Sequence, residues 1–414
     1  MKVGSARFDI TPKSKNFYLL GYKTPLRNEP AKGIHDHIFC NALLFDHDGN
    51  QVFLLTADLL EFEDETAEYI KTQINKRYGI SRDQIIIGVT HDHNSVRDFH
   101  KHWEFGKYNQ KYYDFLTETM IEAVETCRQN LRTAKAKYGK KVVTGFYSNR
   151  NHPGQLADNE ILVIRFFDKD DKPFAALVNW ATHSTVLGPS NMELTGDLAG
   201  QTCQKLGDKW GYYPVMVVGA AADCSNRNDR QGKDFAELDR ATTGLANAID
   251  AISVVDTLAL GDISVQTLSH GIYPDVQSYH RLLRETVTKI RNGNLKVAGN
   301  IPAKNLIEKC TDQLDQDEFG QLLQFSVLTI GHLRFFVFPG ELGSKFGFAM
   351  KKSTNKICVI AGYSNGFHYY FLPREEYGLS FETIGNPVPA GEGEKITAKF
   401  VQSSKLLDEK SRTN

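Results

Sequence analysis

Five short apolar runs in this chain each stop abruptly in a polar cluster, and nothing else in the sequence restricts its fold as tightly. Residues 84–89 run into Thr90-His91-Asp92-His93-Asn94-Ser95, and residues 174–180 into Ala181-Thr182-His183-Ser184-Thr185. Residues 214–218 lead to Asp223-Cys224-Ser225-Asn226, residues 333–338 to Pro339-Gly340-Glu341, and residues 356–361 to Gly362-Tyr363-Ser364-Asn365-Gly366. A brief, continuously apolar run between turn-forming residues is the pattern of a strand buried on both faces. In open α/β sheets ligands sit beyond the carboxyl ends of such strands, where loops converge. The expected fold class is therefore α/β (or α+β): a mixed β-sheet flanked by helices, with an active site at the strand ends and a helical insertion.

The remaining patterns fill in the order of elements. Residues 41–45 and 51–57 flank Asp46-His47-Asp48-Gly49-Asn50, a hairpin turn. Residues 64–77 carry Ala67, Ile70 and Ile74 at helical spacing and stop at Tyr78-Gly79. Residues 231–330 change character, with polar helical patterns over 237–252, 276–291 and 306–313 and a Gly/Asn/Pro break over 297–302. These features divide the chain into a catalytic domain (residues 1–230 and 331–402), a helical insertion or lid (231–330) and a charged tail (403–414) expected to fray.

Charge and cysteine usage narrow the partners. Lys and Arg total 49 against 50 Asp and Glu, which leaves no electrostatic footprint for nucleic acid. The first residues, MKVGSARFDITP, form an alternating strand-like pattern with no apolar leader. Neither residues 85–89 nor 215–222 approach the length of a transmembrane segment. Six cysteines lie scattered without a CxxC pair, the usage of reduced, buried thiols. A cytoplasmic protein with a small-molecule or lipid substrate is the expectation.

Histidine carries the chemistry. His91 and His93 form an HxH at a strand end, so both imidazoles leave the same side of the chain. A hydrogen-bonded surface pair is the bland alternative. His183 alone reads equally as a core histidine, and Glu341 alone as a capping carboxylate. Together, two histidines and one carboxylate leave an open position on zinc, as a hydrolytic centre requires. His35-Asp36-His37 is a second HxH, read as structural or as supporting the ligands. Ser225 admits nucleophile, substrate-binding and helix-cap roles, and no GxSxG elbow accompanies it. Two rival classes remain. One is a metal-dependent phosphoesterase with a two-metal site on His35, His37, Asp58 and His91. The other is a catalytically silent binding protein.

Taken in order, the clusters resemble the neutral/alkaline non-lysosomal ceramidase family. The matching elements are the opening FDITP, Gly33-Ile34-His35, Thr56-Ala57-Asp58-Leu59 and Thr90-His91-Asp92-His93-Asn94-Ser95. They continue with Asn149-Arg150, Asn179-Trp180-Ala181-Thr182-His183, Thr195-Gly196-Asp197, Asp223-Cys224-Ser225 and Pro339-Gly340-Glu341. Ser364-Asn365 and Glu375-Glu376-Tyr377 complete the series. The resemblance implies zinc on His91, His183, Glu341 and a tyrosine, Tyr370 or its neighbour Tyr369. It also implies catalytic roles for His93, Arg150 and Ser225, in hydrolysis of an N-acyl amide bond. The chain departs from the family at Ala222-Asp223-Cys224-Ser225-Asn226, and at Phe381 where a second tyrosine is expected. It resembles the catalytic domain only. Polar stretches at residues 94–102 and 189–197 suggest a hydrophilic rim, and with it a short, water-soluble N-acyl substrate rather than ceramide.

Overall fold

Each of the three main sheets is built by the same succession: three antiparallel strands, a helix, and a fourth strand laid parallel to the third. In the first, Lys2–Asp9, Phe39–His47 and Asn50–Ala57 pair in turn, and Ile85–Val89 returns beside Asn50–Ala57. In the second, the strands are Lys135–Val142, Glu160–Phe167 and Pro173–Trp180, with Pro214–Val218 returning. In the third they are Ile263–Ile272, Gln321–Ile330 and Leu333–Val337, with Ile357–Ala361 returning. A parallel return cannot be made by a tight turn. Helices Asp64–Tyr78, Asp197–Trp210 and Ser344–Lys351 make the three crossovers. The hairpin expected at residues 46–50 is a two-residue turn, His47 facing Asn50 across Asp48 and Gly49, which have φ of 53° and 88°. This computed structural model describes residues 1–298 and 301–413. Gly299 and Asn300, within the expected break at 297–302, and Asn414 lie outside the described residues.

The inner faces of the sheets share one core. Phe45, Leu54 and Ile86 from the first meet Phe166, Leu177 and Val217 from the second and Phe335, Val337 and Val359 from the third. Outside, helices Asp64–Tyr78 and Gln110–Gln129 bury the back of the first sheet, and Asp197–Trp210 and Phe235–Asp250 that of the second. Ser344–Lys351 and Glu392–Thr413 cover the third through Phe346, Met350, Ile396 and Phe400. Among the described residues no helix is long and apolar enough to cross a membrane. All six cysteines are free, and only Cys358 is not fully buried.

Two expected divisions take a different shape. Residues 231–330 include Asp256–Leu258, an edge strand of the second sheet, and two strands of the third. Only Val276–Arg291 and Ala303–Thr311 form a separate lobe, packed on Tyr279, Leu283, Leu306, Cys310, Phe319 and Ile384. The strand Ile263–Ile272 alternates polar and apolar residues because one face stays open to solvent, and so lacks the apolar run of a buried strand. The segment read as a tail from residue 403 instead continues helix Glu392–Thr413. Ser403 and Ser404 are buried, and Ser404 Oγ accepts from Arg334 at 2.8 Å. Lys405 and Glu409 are exposed, whereas Asp408 turns in to pair with the buried Arg334.

Candidate metal centre

The polar clusters meet where the returned strands end. His91 lies two residues beyond Ile85–Val89 and Tyr363 two beyond Ile357–Ala361, and both adopt left-handed backbone, with φ of 54° and 53°. Equivalent positions in two sheets thus turn the same way, a conformation that costs about 1–3 kcal/mol in a non-glycine residue and persists only where the surroundings fix it. His183 follows Pro173–Trp180. Glu341 begins a short parallel pairing in which it lies opposite Tyr370.

Backbone carbonyls set the tautomer of each histidine. Nδ1 of His91 lies 2.9 Å from Leu60 O, that of His93 2.8 Å from Gly21 O, and that of His183 3.0 Å from Cys224 O. A carbonyl only accepts, so each Nδ1 carries the proton and each Nε2 presents a lone pair. Burial pushes His91 and His183 well below the ordinary imidazole range and His93 down to about 3, so all three are neutral. The three histidines offer ligand atoms within 4.8 Å of one another, and Nε2 of His91 and His93 face each other at 3.2 Å. Glu341 approaches Nε2 of His91 at 3.7 Å and of His183 at 3.1 Å. His183 Nε2 is buried without a hydrogen-bond partner. Converging lone pairs beside a buried carboxylate repel one another unless a cation lies among them, so the donor set fits a metal ion.

Tyr363 completes the carboxylate's surroundings. Its hydroxyl donates to Glu341 Oε2 at 3.0 Å, and its ring packs 4.3 Å from that of His91. Of the two adjacent tyrosines, Tyr370 faces the centre. Burial and then the Glu341 charge raise its phenol well above the ordinary range, and Arg150 acts in the opposite sense. Tyr369 is 39% exposed, with φ of 40°, and turns outward. Arg150 donates through Nη2 to Ala222 O at 2.7 Å, and its Nε lies 2.6 Å from the fully buried carboxylate of Glu382.

The other candidates fall elsewhere. Ser225 Oγ accepts from Arg227 N at 3.2 Å and so caps a short 3-10 turn, and among the described residues no histidine bonds its hydroxyl. Ser225 instead follows Cys224, whose carbonyl fixes His183. His35 pairs with Asp36 at 2.7 Å and stacks on Phe235, whereas His37 pairs with Asp9 at 2.5 Å. Asp58 is spent on Phe39 N and Thr90 Oγ1, at 3.0 and 3.2 Å. The two-metal set on His35, His37, Asp58 and His91 is not assembled. The expected hydrophilic rim is also absent at residues 94–100, which are buried. Arg97 there donates inward to the carbonyls of Phe105, His100 and Trp103, so its polarity serves the loop itself. Phe381, where a second tyrosine was expected, packs in the helical lobe. Sequence reasoning missed Tyr363 and Glu382 as members of the site.

This geometry defines a mixed α/β protein with a three-histidine, one-carboxylate pocket at its strand ends. The description "Neutral/alkaline non-lysosomal ceramidase, N-terminal" matches residues 1–210, and the chain belongs to that family. Neutral ceramidase A of Dictyostelium discoideum is 21% identical over 220 residues, which is 48% of this chain and 30% of that protein. Neutral ceramidase of Drosophila pseudoobscura pseudoobscura is 22% identical over 219 residues, 48% of this chain and 31% of that one. The match therefore spans under a third of these relatives' length. The crystal structure of neutral ceramidase from Pseudomonas aeruginosa superposes with a TM-score of 0.76 at 17% identity, covering 99% of this chain and 74% of that one. That likeness extends the shared fold beyond the matched half.

Proposed function

We propose that this chain is a zinc-dependent hydrolase of an N-acyl amide bond, acting on a ceramide-like lipid or a smaller acylated amine. The observation that carries the proposal is the convergence of three Nε2 lone pairs beside the buried carboxylate of Glu341. The names of the matched relatives support the reaction class. Imidazole nitrogen, carboxylate oxygen and phenol oxygen are ligands zinc accepts. His91, His183, Glu341 and Tyr370 are the proposed ligands, because Glu341 touches His91 and His183 and pairs through its backbone with Tyr370. Zinc held there supplies Lewis acidity toward a carbonyl oxygen and toward water.

The chain's own groups perform the remaining work. His93 is partly open and has no contact with Glu341, so its Nε2 is the one free to take a proton from attacking water and return it to the leaving amine. Its bond to Gly21 O holds the ring in that orientation. Arg150, fixed by Glu382 and Ala222 O, presents fixed positive charge to the oxyanion that develops on the acyl carbon. Ser225 ends the short strand pairing that carries Cys224, whose carbonyl positions His183. Elemental analysis of protein purified without chelator tests the reading, paired with an assay for amine released from an N-acyl substrate. One zinc per chain and chelator-sensitive release restored by zinc are expected. Two equivalents, no metal, or release indifferent to chelator would each count against it.

A further inference from the structure

Lys309 has no part in the metal centre, yet the helical lobe carries it there. It lies on helix Ala303–Thr311, and its Nζ donates to Phe381 O at 2.5 Å and to Glu382 O at 3.4 Å. The same ammonium stands 5.5 Å from the ring centre of Tyr370. The Arg150 guanidinium stands 5.8 Å from that ring, so two cations gather on one tyrosine. Arg227 adds a third, on the turn capped by Ser225 and bonded through Asn228 to the carbonyl of Asn149, the neighbour of Arg150. Two buried carboxylates face these three cations: Glu382, whose charge acts on all of them, and Glu341, whose charge acts on Lys309 and Arg150 as well as on the histidines. Arg150 is buried and Lys309 and Arg227 are half-buried, and positive charge so gathered is costly unless anions offset all of it. An ammonium has three N–H donors, and two carbonyls occupy two of them on Lys309.

We propose that Lys309, with Arg227 and beside Arg150, forms a subsite for a carboxylate on the substrate, so that the preferred substrates are N-acyl amino acids. The proposal rests on the hydrolase reading for its reaction and on the cation cluster for its specificity. An anion held by Lys309 lies beside Tyr370, whose backbone pairs with Glu341, and so within reach of a substrate whose amide meets the metal centre. No ordinary ceramide headgroup carries such a charge.

The test compares N-hexanoylglycine with its neutral isostere N-hexanoylglycinamide on zinc-loaded wild type, Lys309→Met and Lys309→Arg. Wild type should favour the acid by about tenfold or more in kcat/KM, the scale of a charge-assisted hydrogen bond. The preference should collapse in Lys309→Met and persist in Lys309→Arg. Arg227→Gln supplies a second variant should Lys309→Met not fold. A binding arm measures the rise in Tm on adding N-hexanoylglycine or inorganic phosphate to the same proteins. Stabilisation by the acid that is lost in Lys309→Met upholds the subsite even if neither amide is cleaved, in which case the hydrolase reading alone falls. Equal handling of acid and amide by wild type, a response to phosphate only, or equal losses on both substrates in Lys309→Met would overturn the subsite.

Discussion

At the scale of single residues, the proposed function separates groups that would hold metal from groups that would act beside it. His91 and His183 both approach Glu341, whereas His93 presents its Nε2 to His91 and its Nδ1 to Gly21 O, and Arg150 is tied to Glu382. His91→Ala and His183→Ala should each strip the zinc. His93→Ala and Arg150→Ala should keep about one zinc per chain and lose turnover by roughly two orders of magnitude, as for acid–base and oxyanion groups. Metal content measured beside kcat decides it, and a His93→Ala protein without metal would make His93 a ligand. A second residue effect concerns pH. His100 lies 3.3 Å from Glu61 and 3.1 Å from Glu63. Burial lowers its pKa, but the two carboxylates outweigh burial and raise it to about 9. A raised histidine stabilises the fold fully below its unfolded value of about 6.5, and that contribution fades as pH climbs through 9. The advantage of wild type over His100→Gln should therefore shrink by roughly 3 kcal/mol between pH 6.5 and 9. Urea midpoints at several pH values measure this, and a constant difference would refute it.

At the scale of elements, legibility followed burial. Ile85–Val89 and Pro214–Val218 are buried at every residue, so their apolar runs stood out and their polar ends could be trusted as strand ends. That is why His91 could be placed at a strand end, as His183 could after Pro173–Trp180 and Glu341 after Leu333–Val337. Ile263–Ile272 was missed because a half-exposed strand shows only alternation, which its serines and threonine weaken. Tyr363 had the same signal as His91, a position two residues beyond a returned strand, but a tyrosine there forms no recognisable ligand pattern. Glu382 sits in an irregular stretch with no periodicity to mark it as buried, and only tertiary structure sets it against Arg150. Lys309 reads as one more charge on an amphipathic helix, since nothing local says that the lobe folds against Tyr370. The polar stretch at residues 94–100 misled for the opposite reason: composition cannot distinguish polarity facing water from polarity satisfied by neighbouring carbonyls.

At the scale of the molecule, the family match ends at residue 210, before the strand that completes the second sheet and before any part of the third. The candidate metal centre nonetheless draws Glu341 and Tyr363 from the segments that follow strands of the third sheet, and the core is common to all three. A protein built this way should unfold as one unit rather than as a matched half and an appended half. Phe335 is suited to a test, being fully buried in the third sheet, between Leu328 and Val359, and part of the core that includes Phe45 and Phe166. Phe335→Ala should destabilise the fold by about 3–5 kcal/mol, the usual cost of removing a buried phenyl ring. If the sheets are cooperative, amide hydrogen exchange in Ile85–Val89 should lose as much protection as exchange in Ile357–Ala361, though the substitution lies in neither strand. Wild type and variant must be compared in the same metal state, because a bound ion adds stability of its own. Lost protection confined to residues 263–361, with the first sheet unchanged, would show that the third sheet opens independently. Glu341 and Tyr363 would then leave the histidines without global unfolding.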